Sequence, residues 1–218
     1  MDVRTQILDA ATRLFAAQGV GATSLAAIAE SVGIRKASLL YHFPSKDALH
    51  QSVLDNLLSH WNETLPRLLE AAAGEDRFDA LLDETVRFFV ADPDRARLLL
   101  RETLDRPEAM RERLRDAVRP WMDVIAAYIT KGQAHGELRA DADPHAYLLQ
   151  VIHLVIGGVA TADTLGVLLS ASGKSKPEME RLTRELTRVA RSSLYNDGAV
   201  AGAARTRRER ARARAKTA

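Results

Sequence analysis

The sequence contains no cysteine and few aromatic residues, and what it lacks excludes several classes of function. Without a cysteine among its 218 residues, the chain has neither a disulfide framework nor a thiolate-based metal or redox site. Its six histidines show no HExxH or comparable metal-ligand spacing. A glycine-rich phosphate loop and a GxSxG nucleophile elbow are missing as well. These absences argue against an enzyme and predict no cofactor, although a catalytic triad assembled across the fold is not excluded by sequence.

An excess of charge of one sign is also lacking, since 31 basic and 29 acidic side chains give a formal net charge of +2. The balance is uneven along the chain. Residues 205–218 hold seven basic side chains against Glu209, which leaves 24 basic and 28 acidic side chains in residues 1–204. The basic isoelectric point therefore belongs to the C-terminal tail, and an argument for DNA binding has to rest on local pattern.

The tail itself, residues 197–218, has no large apolar residue beyond Val200. It cannot bury enough surface to offset the entropy of ordering, so we expect it to be disordered. Two interpretations stay open for its basic side chains. They form either a solvated end without a function, or an arm that gathers DNA phosphates and steepens the salt dependence of binding.

Long hydrophobic runs are scarce. The longest uncharged stretch, residues 146–162, contains Gln150 and His153 and is short for a membrane span, so we interpret it as a buried or interface helix. The first residues, Met1-Asp2-Val3-Arg4, show no apolar signal segment. We therefore expect a cytoplasmic protein without a membrane partner.

The apolar residues recur at helical spacing, and strand-like alternation is missing, which predicts an all-α protein. Gly19 is expected as a left-handed cap that ends the first helix, Thr23 or Ser24 as the N-cap of the second, and Ser45 as the N-cap of the fourth. Helices are predicted at about 2–18, 24–31, 35–42, 45–69, 77–91, 94–105, 107–135, 144–170 and 177–195. We expect a DNA-binding domain at 1–50, a helical effector-binding and dimerisation domain at 51–196, and the basic tail.

Residues 23–43 have the pattern of a helix-turn-helix. Ala29 is the small residue needed where two steeply crossing helices touch, and Gly33, four residues later, tolerates the positive φ of the turn. Apolar side chains then pack the angle between the helices: Ile28, Val32, Ile34 and Leu39. The outer face of the second helix is left with small residues, which allow close approach to a major groove, and with donors, which read base edges or hold phosphates. These are Lys36, Ala37, Ser38, Tyr41 and His42.

Residues 4–50 resemble the DNA-binding domain of the TetR family of transcriptional regulators. The similarity consists of an amphipathic first helix ending at Gly19, then Thr23-Ser24-Leu25, Ile28-Ala29 and Val32-Gly33-Ile34, and above all Ser38-Leu39-x-Tyr41-His42-Phe43-Pro44-Ser45-Lys46-Asp47-x-Leu49. Three positions depart from the family pattern. Arg35 replaces a common capping Ser or Thr and adds a candidate phosphate or base contact. Ala37 stands where Gly is frequent, and Leu40 replaces a common second aromatic, so the operator preference is left open.

The resemblance implies a set of DNA contacts. Ser24, Tyr41, His42 and Lys46 correspond to phosphate contacts, and Lys46 lies at a helix N-terminus, where free amides and the helix dipole favour an anion. The groove-reading positions are Lys36, Ala37 and Ser38. Thr23 and Arg35 complete the expected DNA-binding residues. Without the family, Tyr41 and Phe43 are both interpreted as core residues, and His42 as a titrating surface residue.

Residues 51–196 resemble the family only in the number of helices and in the Gly132…Gly136-Glu137-Leu138-Arg139 turn before Asp143-Pro144. In the family this region encloses an effector pocket and forms a homodimer. The candidate pocket residues are Trp61, Phe88, Phe89, Trp121, Ile125, Tyr128 and His153. Each has an alternative interpretation as a core residue. As a pocket residue, His153 is the polar group that orients a ligand on an apolar wall.

The helix at 144–170 contains Gly157-Gly158, which suits close helix contact. With the last helix it is expected to form a two-fold symmetric, four-helix dimer interface. The sequence and the resemblance together predict a ligand-responsive transcriptional regulator. Its expected partners are double-stranded operator DNA, a small-molecule effector and a second copy of the chain. The main hypothesis is a repressor released from a palindromic operator by a small, largely apolar effector; the alternatives are an activator of the same fold, a helical enzyme and a helical adaptor.

Overall fold

The computed structural model describes residues 2–71, 75–169 and 175–196, so the predicted disordered tail, residues 197–218, lies outside the described residues. The described residues form ten α-helices and a short 3-10 turn without a strand, which confirms the predicted all-α class. The helices are α1 (Val3–Ala22), α2 (Leu25–Val32), α3 (Lys36–His42), α4 (Lys46–Ala71), α5 (Glu75–Ala91), α6 (Pro93–Asp105), α7 (Pro107–Ala117), α8 (Arg119–Ala134), α9 (Pro144–Leu165) and α10 (Ser175–Leu194), and the 3-10 turn is Gly166–Leu168.

Short polar side chains begin several of these helices by accepting a hydrogen bond from a free backbone amide. Asp2 accepts from Thr5 N at 2.7 Å, Ser24 from Ala27 N at 3.0 Å and Ser45 from Ala48 N at 3.0 Å. The predicted caps of α2 and α4 are thereby confirmed. Asp143 accepts from Ala146 N at 2.9 Å at the start of α9 in the same way.

Two predicted helix boundaries were wrong. Gly19 has a positive φ of 80° but a ψ of 161°, so it is not a left-handed cap; it breaks α1, and one more turn follows to Ala22. The single helix predicted at 107–135 is two helices, α7 and α8, separated at Val118. Pro120 lies in the first turn of α8, where its missing N–H costs nothing, whereas inside a longer helix it would remove a backbone hydrogen bond.

One continuous apolar core extends from the three N-terminal helices into the remainder of the chain. Phe15 of α1, Leu49 of α4, Leu98 of α6 and Val155 of α9 are all buried members of it. Helix α6 packs against both α1 and α9 and therefore lies between the two parts of the molecule. A smaller cluster under α8 contains Ile129, together with Ala126, Leu148, Leu194 and Tyr195.

Helices α9 and α10 pack closely within the chain. A Cβ atom on Gly158 would lie 3.4 Å from Cδ2 of Leu182, which is an ordinary contact distance, so α9 meets α10 at this position. The segment Pro144–Leu168 is long and apolar enough to cross a membrane by length and composition alone, a criterion that the core helix of a soluble protein also meets. Only 28% of its most apolar window is buried within the chain, so an apolar face of α9 stays uncovered.

Candidate functional site

Helices α2 and α3 are joined by a turn that Gly33 makes possible. Gly33 has φ 74° and ψ 28°, in the left-handed region that favours glycine. Its N–H donates to Glu30 O at 3.0 Å, and Ile34 N–H donates to Ala29 O at 3.0 Å. This pair of hydrogen bonds is the Schellman arrangement, which ends α2 sharply and turns the chain into α3. Ala29 is buried where the helices meet, as the sequence predicted.

The outward face of α3 collects most of the expected DNA-binding residues. Arg35, Lys36, Ala37 and Ser38 are exposed in its first turn, and Ser24 is exposed at the start of α2. Arg35 is the N-cap residue of α3 but its side chain forms no capping hydrogen bond, so its guanidinium is not used to begin the helix. The first turn of α3 therefore presents two cationic side chains beside two small residues.

The two aromatic residues at the end of α3 and just beyond it point in opposite directions. Tyr41 is 88% exposed, whereas Phe43 is buried under the guanidinium of Arg4, which lies 5.1 Å from the ring centroid. His42 is half-buried, and its ring meets Tyr41 edge-on at 5.5 Å. Tyr41 and His42 therefore extend the outward face of α3 by one further turn.

Two of the expected DNA-contacting side chains make hydrogen bonds within the chain instead of extending from its surface. Thr23 is 1% exposed, and its hydroxyl donates inward to Gly19 O at 2.8 Å, so its side chain is directed into the interior of the chain. Lys46 Nζ donates to three backbone carbonyl oxygens, those of Val20 at 2.8 Å, Gly21 at 3.2 Å and Thr23 at 3.1 Å. A lysine ammonium has three N–H donors, so none is left for a phosphate. Lys46 lies at the N-terminus of α4, as expected, but its side chain extends towards the end of α1.

Contacts between the three-helix unit and α6 were not found from the sequence. Arg101 Nε donates to Ala16 O at 3.3 Å, and its Nη2 donates to Ala17 O at 3.5 Å. The partners lie some 85 residues apart along the chain, and a backbone acceptor carries no sequence signature. Arg101 therefore attaches α6 to the last regular turn of α1.

The neighbouring residue, Glu102, makes a second connection that the sequence did not reveal. Its Oε2 lies 3.0 Å from Nε2 of His50, which is an ion-pair distance, although the angle falls outside that of a hydrogen bond. Arg106 Nη1 contacts His50 Nδ1 at 3.3 Å, and the ring of Phe15 meets the imidazole edge-on at 5.6 Å. His50, Glu102 and Arg106 are among the residues that line a groove of about 470 Å³ between α4, α6 and α7.

Three of the predicted pocket residues form an aromatic cluster. The rings of Phe88 and Phe89 lie 5.0 Å apart, and Trp61 lies 5.2 Å from Phe88 and 6.4 Å from Phe89. His60 stacks on Phe88 at 4.3 Å, and the guanidinium of Arg95 lies 4.5 Å from the centroid of the same ring. These contacts are those of packed core rings, which is the alternative interpretation of their spacing.

Two other predicted pocket residues, Ile125 and Tyr128, do line a cavity. It measures about 240 Å³ and lies between α5, α8 and the end of α10. Aromatic and aliphatic side chains form most of its wall, with Lys131, His135 and Glu137 as its charged or titratable members. The remaining wall residues include Leu69, Phe78, Leu81, Ile129, Leu138, Leu194 and Tyr195.

The last two predicted pocket residues lie elsewhere. Trp121 is half-buried and its Nε1 donates to Asn62 Oδ1 at 2.7 Å, so it joins α8 to α4. His153 is exposed, and its Nδ1 lies 2.8 Å from Leu149 O on the same helix. His153 therefore does not line the cavity that contains Ile125 and Tyr128, and it belongs to the uncovered face of α9. The seven predicted residues are therefore divided among a core cluster, a cavity, a helix contact and a surface.

A helix-turn-helix with an outward cationic and small-residue face, joined through α6 to a larger helical unit, defines a DNA-binding regulator. Two family models agree with this architecture. Residues 7–53 match the model described as bacterial regulatory proteins of the tetR family, and residues 75–189 match the tetracyclin repressor-like C-terminal domain. The chain belongs to the TetR family of transcriptional regulators.

Individual relatives support the same assignment. The chain is 31% identical over 148 residues to the HTH-type transcriptional regulator RutR of Escherichia coli, covering 66% of this chain and 68% of RutR. It is 40% identical over 80 residues to the HTH-type transcriptional regulator TtgR of Pseudomonas putida, covering 37% of this chain and 36% of TtgR. The match thus spans about a third of the length of TtgR.

A solved structure shares the fold. That of the ketosteroid transcriptional regulator KstR2 of Mycobacterium tuberculosis superposes with a TM-score of 0.71 at 15% sequence identity, covering 90% of this chain and 96% of that chain. The relatives are described as transcriptional regulators, which agrees with the family to which the chain belongs.

Proposed function

We propose that the protein is a cytoplasmic repressor that binds a palindromic operator as a dimer and is released by a small, largely apolar effector. The observation that carries the DNA-binding part is the first turn of α3, where Lys36 and Arg35 are exposed beside Ala37 and Ser38. Small side chains allow a helix to lie deep in the major groove, and the cations and the hydroxyl supply donors for bases and phosphates. We propose that Tyr41, His42 and Ser24 contact the DNA phosphates on either side of that groove.

Dimerisation is proposed through the last two helices, α9 and α10. The uncovered face of α9 presents Leu149, Leu154 and Leu165 together with His153. Exposed apolar side chains repeated along one helix are typical of a surface that another chain covers. A two-fold dimer would hold two copies of α3 about 34–36 Å apart, the spacing of successive major grooves.

The effector is proposed to bind in the cavity that Ile125 and Tyr128 line. Its volume of about 240 Å³ is below the range of about 300–1,000 Å³ that is usual for drug-sized ligands, which favours a small molecule. The wall is mostly apolar, and Lys131, His135 and Glu137 supply the polar groups that orient a ligand. A ligand that prefers a different separation of the two α3 helices lowers operator affinity in proportion to its differential binding.

The experiment is capture of sheared genomic DNA of the source organism by the purified protein at physiological salt, followed by sequencing. The proposal expects enrichment of a palindrome, and the gene beside it indicates the class of effector. A Lys36→Ala/Tyr41→Ala variant should lose the enrichment. An Arg115→Ala variant, which removes an exposed cation of α7, should keep it. No enriched site with the wild-type protein would overturn operator binding.

The direction of regulation is tested on the recovered palindrome placed before a reporter gene. Repression predicts that expression rises when the regulator gene is deleted. An activator of the same fold predicts that expression falls. The effector proposal is tested by a cavity-filling Ile125→Trp variant, which should bind the palindrome normally but lose release by the inducing compound. Leu104→Trp, at an exposed position of α6, is the matched control and should keep both properties.

A further inference from the structure

The end of helix α1 carries a group of backbone carbonyls that face one cation. The group consists of the carbonyl oxygens of Val20, Gly21 and Thr23, which we call the carbonyl cage. Lys46 Nζ, from the first turn of α4, lies 2.8, 3.2 and 3.1 Å from these three oxygens. The cage lies just beyond the break at Gly19, where the regular α1 ladder is interrupted.

The cage matches the ammonium group in number and in charge. An ammonium has three N–H donors and no acceptor, and three oxygens lie within hydrogen-bond distance, so each donor has one partner. The C-terminal end of a helix also carries partial negative charge, which attracts a cation. The side chain is half-buried in this position. To contact a DNA phosphate, Lys46 would have to break at least one of these three hydrogen bonds.

The position of the cage along the chain indicates what this contact does. Thr23 directly precedes Ser24, the N-cap of α2, and Lys46 directly follows Ser45, which caps α4. Both helices of the helix-turn-helix lie between the two partners of a single contact. Joining Thr23 to Lys46 closes this segment into a loop, which fixes where it enters and leaves the core.

We infer that Lys46 is a positioning residue for DNA binding, and that its ammonium holds the carbonyl cage and does not contact phosphate. It orients α2 and α3 against α1 and α4, and the exposed residues of α3 then contact the DNA. This inference rests on the proposed operator binding, but the state of the Lys46 ammonium is measurable without DNA.

The first measurement therefore uses the free protein labelled with nitrogen-15. An ammonium held by three carbonyls exchanges its protons slowly, so we expect a resolved Lys46 Nζ–H signal at neutral pH and low temperature. Lys36, which is exposed on α3, is the matched control and should give no such signal. A Lys46 ammonium that exchanges as fast as that of Lys36 overturns the cage, whether or not an operator has been identified.

The second measurement compares operator affinity across salt concentrations for Lys46→Met and Lys46→Arg. Each phosphate contact contributes about −0.9 to the slope of log affinity against log salt concentration. We expect Lys46→Met to weaken binding with an unchanged slope. Lys46→Arg keeps the charge, but its planar fork does not fit three oxygens around a point, so it should weaken binding similarly. An Arg35→Met variant calibrates the assay, because Arg35 is an exposed candidate phosphate contact and loss of one phosphate contact makes the slope less steep by about 1.

The outcomes separate the two roles of Lys46. If Lys46→Arg binds like the wild type, and Lys46→Met loses about one unit of slope, Lys46 is a phosphate contact and the inference is wrong. Thermal unfolding shows whether each variant is folded. For a folded variant, faster hydrogen exchange at residues 24–28 is the expected sign that the start of α2 has been released, and unchanged exchange there contradicts a positioning role.

Discussion

His50 and Glu102 form a buried pair that joins the start of α4 to α6. Nε2 of His50 lies 3.0 Å from Oε2 of Glu102, and the two residues are 1% and 3% exposed. A guanidinium only donates, so the 3.3 Å contact from Arg106 makes Nδ1 of His50 an acceptor. The other ring nitrogen, Nε2, faces the carboxylate. Both ring nitrogens of the buried His50 thus have a polar neighbour, Nδ1 the guanidinium of Arg106 and Nε2 the carboxylate of Glu102.

Removing the carboxylate should destabilise the fold. We expect Glu102→Ala to lower the free energy of unfolding by about 1–3 kcal/mol, because the buried imidazole of His50 then loses the carboxylate that faces its Nε2. Glu102→Gln keeps an acceptor oxygen and should cost less. Urea unfolding followed by circular dichroism measures both. Glu185→Ala is the control, because it removes an exposed pair with Arg188 and should have no measurable effect. Equal losses for Glu102→Ala and Glu185→Ala would show that the buried pair contributes nothing.

Lys36 is expected to discriminate between DNA sequences. Its side chain is exposed in the first turn of α3, so Lys36→Ala should weaken binding to the recovered palindrome by roughly 1–3 kcal/mol if it reads a base. Binding to random DNA of the same length should change less. Fluorescence anisotropy with both duplexes at one salt concentration measures the difference. An equal loss on both duplexes would make Lys36 a phosphate contact and contradict its base-reading role.

Gly33 is predicted to be required for its backbone conformation alone. A Cβ atom there meets nothing within 4 Å, but φ is +74°, so Gly33→Ala should cost about 1–2 kcal/mol of stability through backbone strain. Gly21→Ala is a matched control, because that position is equally open and its φ is not positive. Thermal unfolding compares the two variants. Similar midpoints for both would contradict the strain argument.

The uncovered face of α9 is predicted to be the dimer interface. Leu154→Glu places a charge on this face and should shift the protein towards the monomer, with a parallel loss of operator affinity. Leu104→Glu introduces the same charge at a position of α6 that is 72% exposed, and it should remain dimeric. Sedimentation velocity at several protein concentrations distinguishes the species. A dimeric Leu154→Glu protein would place the interface elsewhere.

Tyr147 is predicted to make stability fall in alkaline solution. Burial raises the pKa of its hydroxyl well above the ordinary value, and the hydroxyl donates to Ala190 O at 2.7 Å. In the unfolded chain the group ionises near pH 10, so stability is fully present below that pH and is lost as the pH rises above it. Urea unfolding from pH 8 to 11 should show a steeper decline for the wild type than for Tyr147→Phe. Parallel declines would contradict this linkage.

The helix-turn-helix was predictable because its determinants are local. Ala29, Gly33 and the caps Ser24 and Ser45 act within four or five residues of their partners, so the sequence shows both sides of each interaction. The break between α7 and α8 is also local, and Pro120 was a readable signal for it. The apolar pattern continues across the break, however, and so favours a single helix.

The effector region was less predictable because burial there depends on tertiary packing. An apolar helix such as α9 has the same periodicity whether its face meets its own chain or another, so His153 could not be assigned to the surface from spacing. The contacts of Lys46 and Arg101 were hidden for a different reason. Both cations bind backbone oxygens, which every residue has, and the sequence therefore does not indicate where the partner lies.

Two consecutive residues of α6 contact two different helices. Arg101 donates hydrogen bonds to backbone carbonyls of α1, and Glu102 faces His50 of α4. A chimeric sensor made by grafting residues 2–50 onto the effector domain of a relative would therefore lack the α6 side chains that contact α1 and α4. Such a chimera should work best when the recipient's α6 is replaced as well. The segment that should be transferred as one structural unit therefore consists of residues 2–50 and α6, which are not contiguous in the sequence.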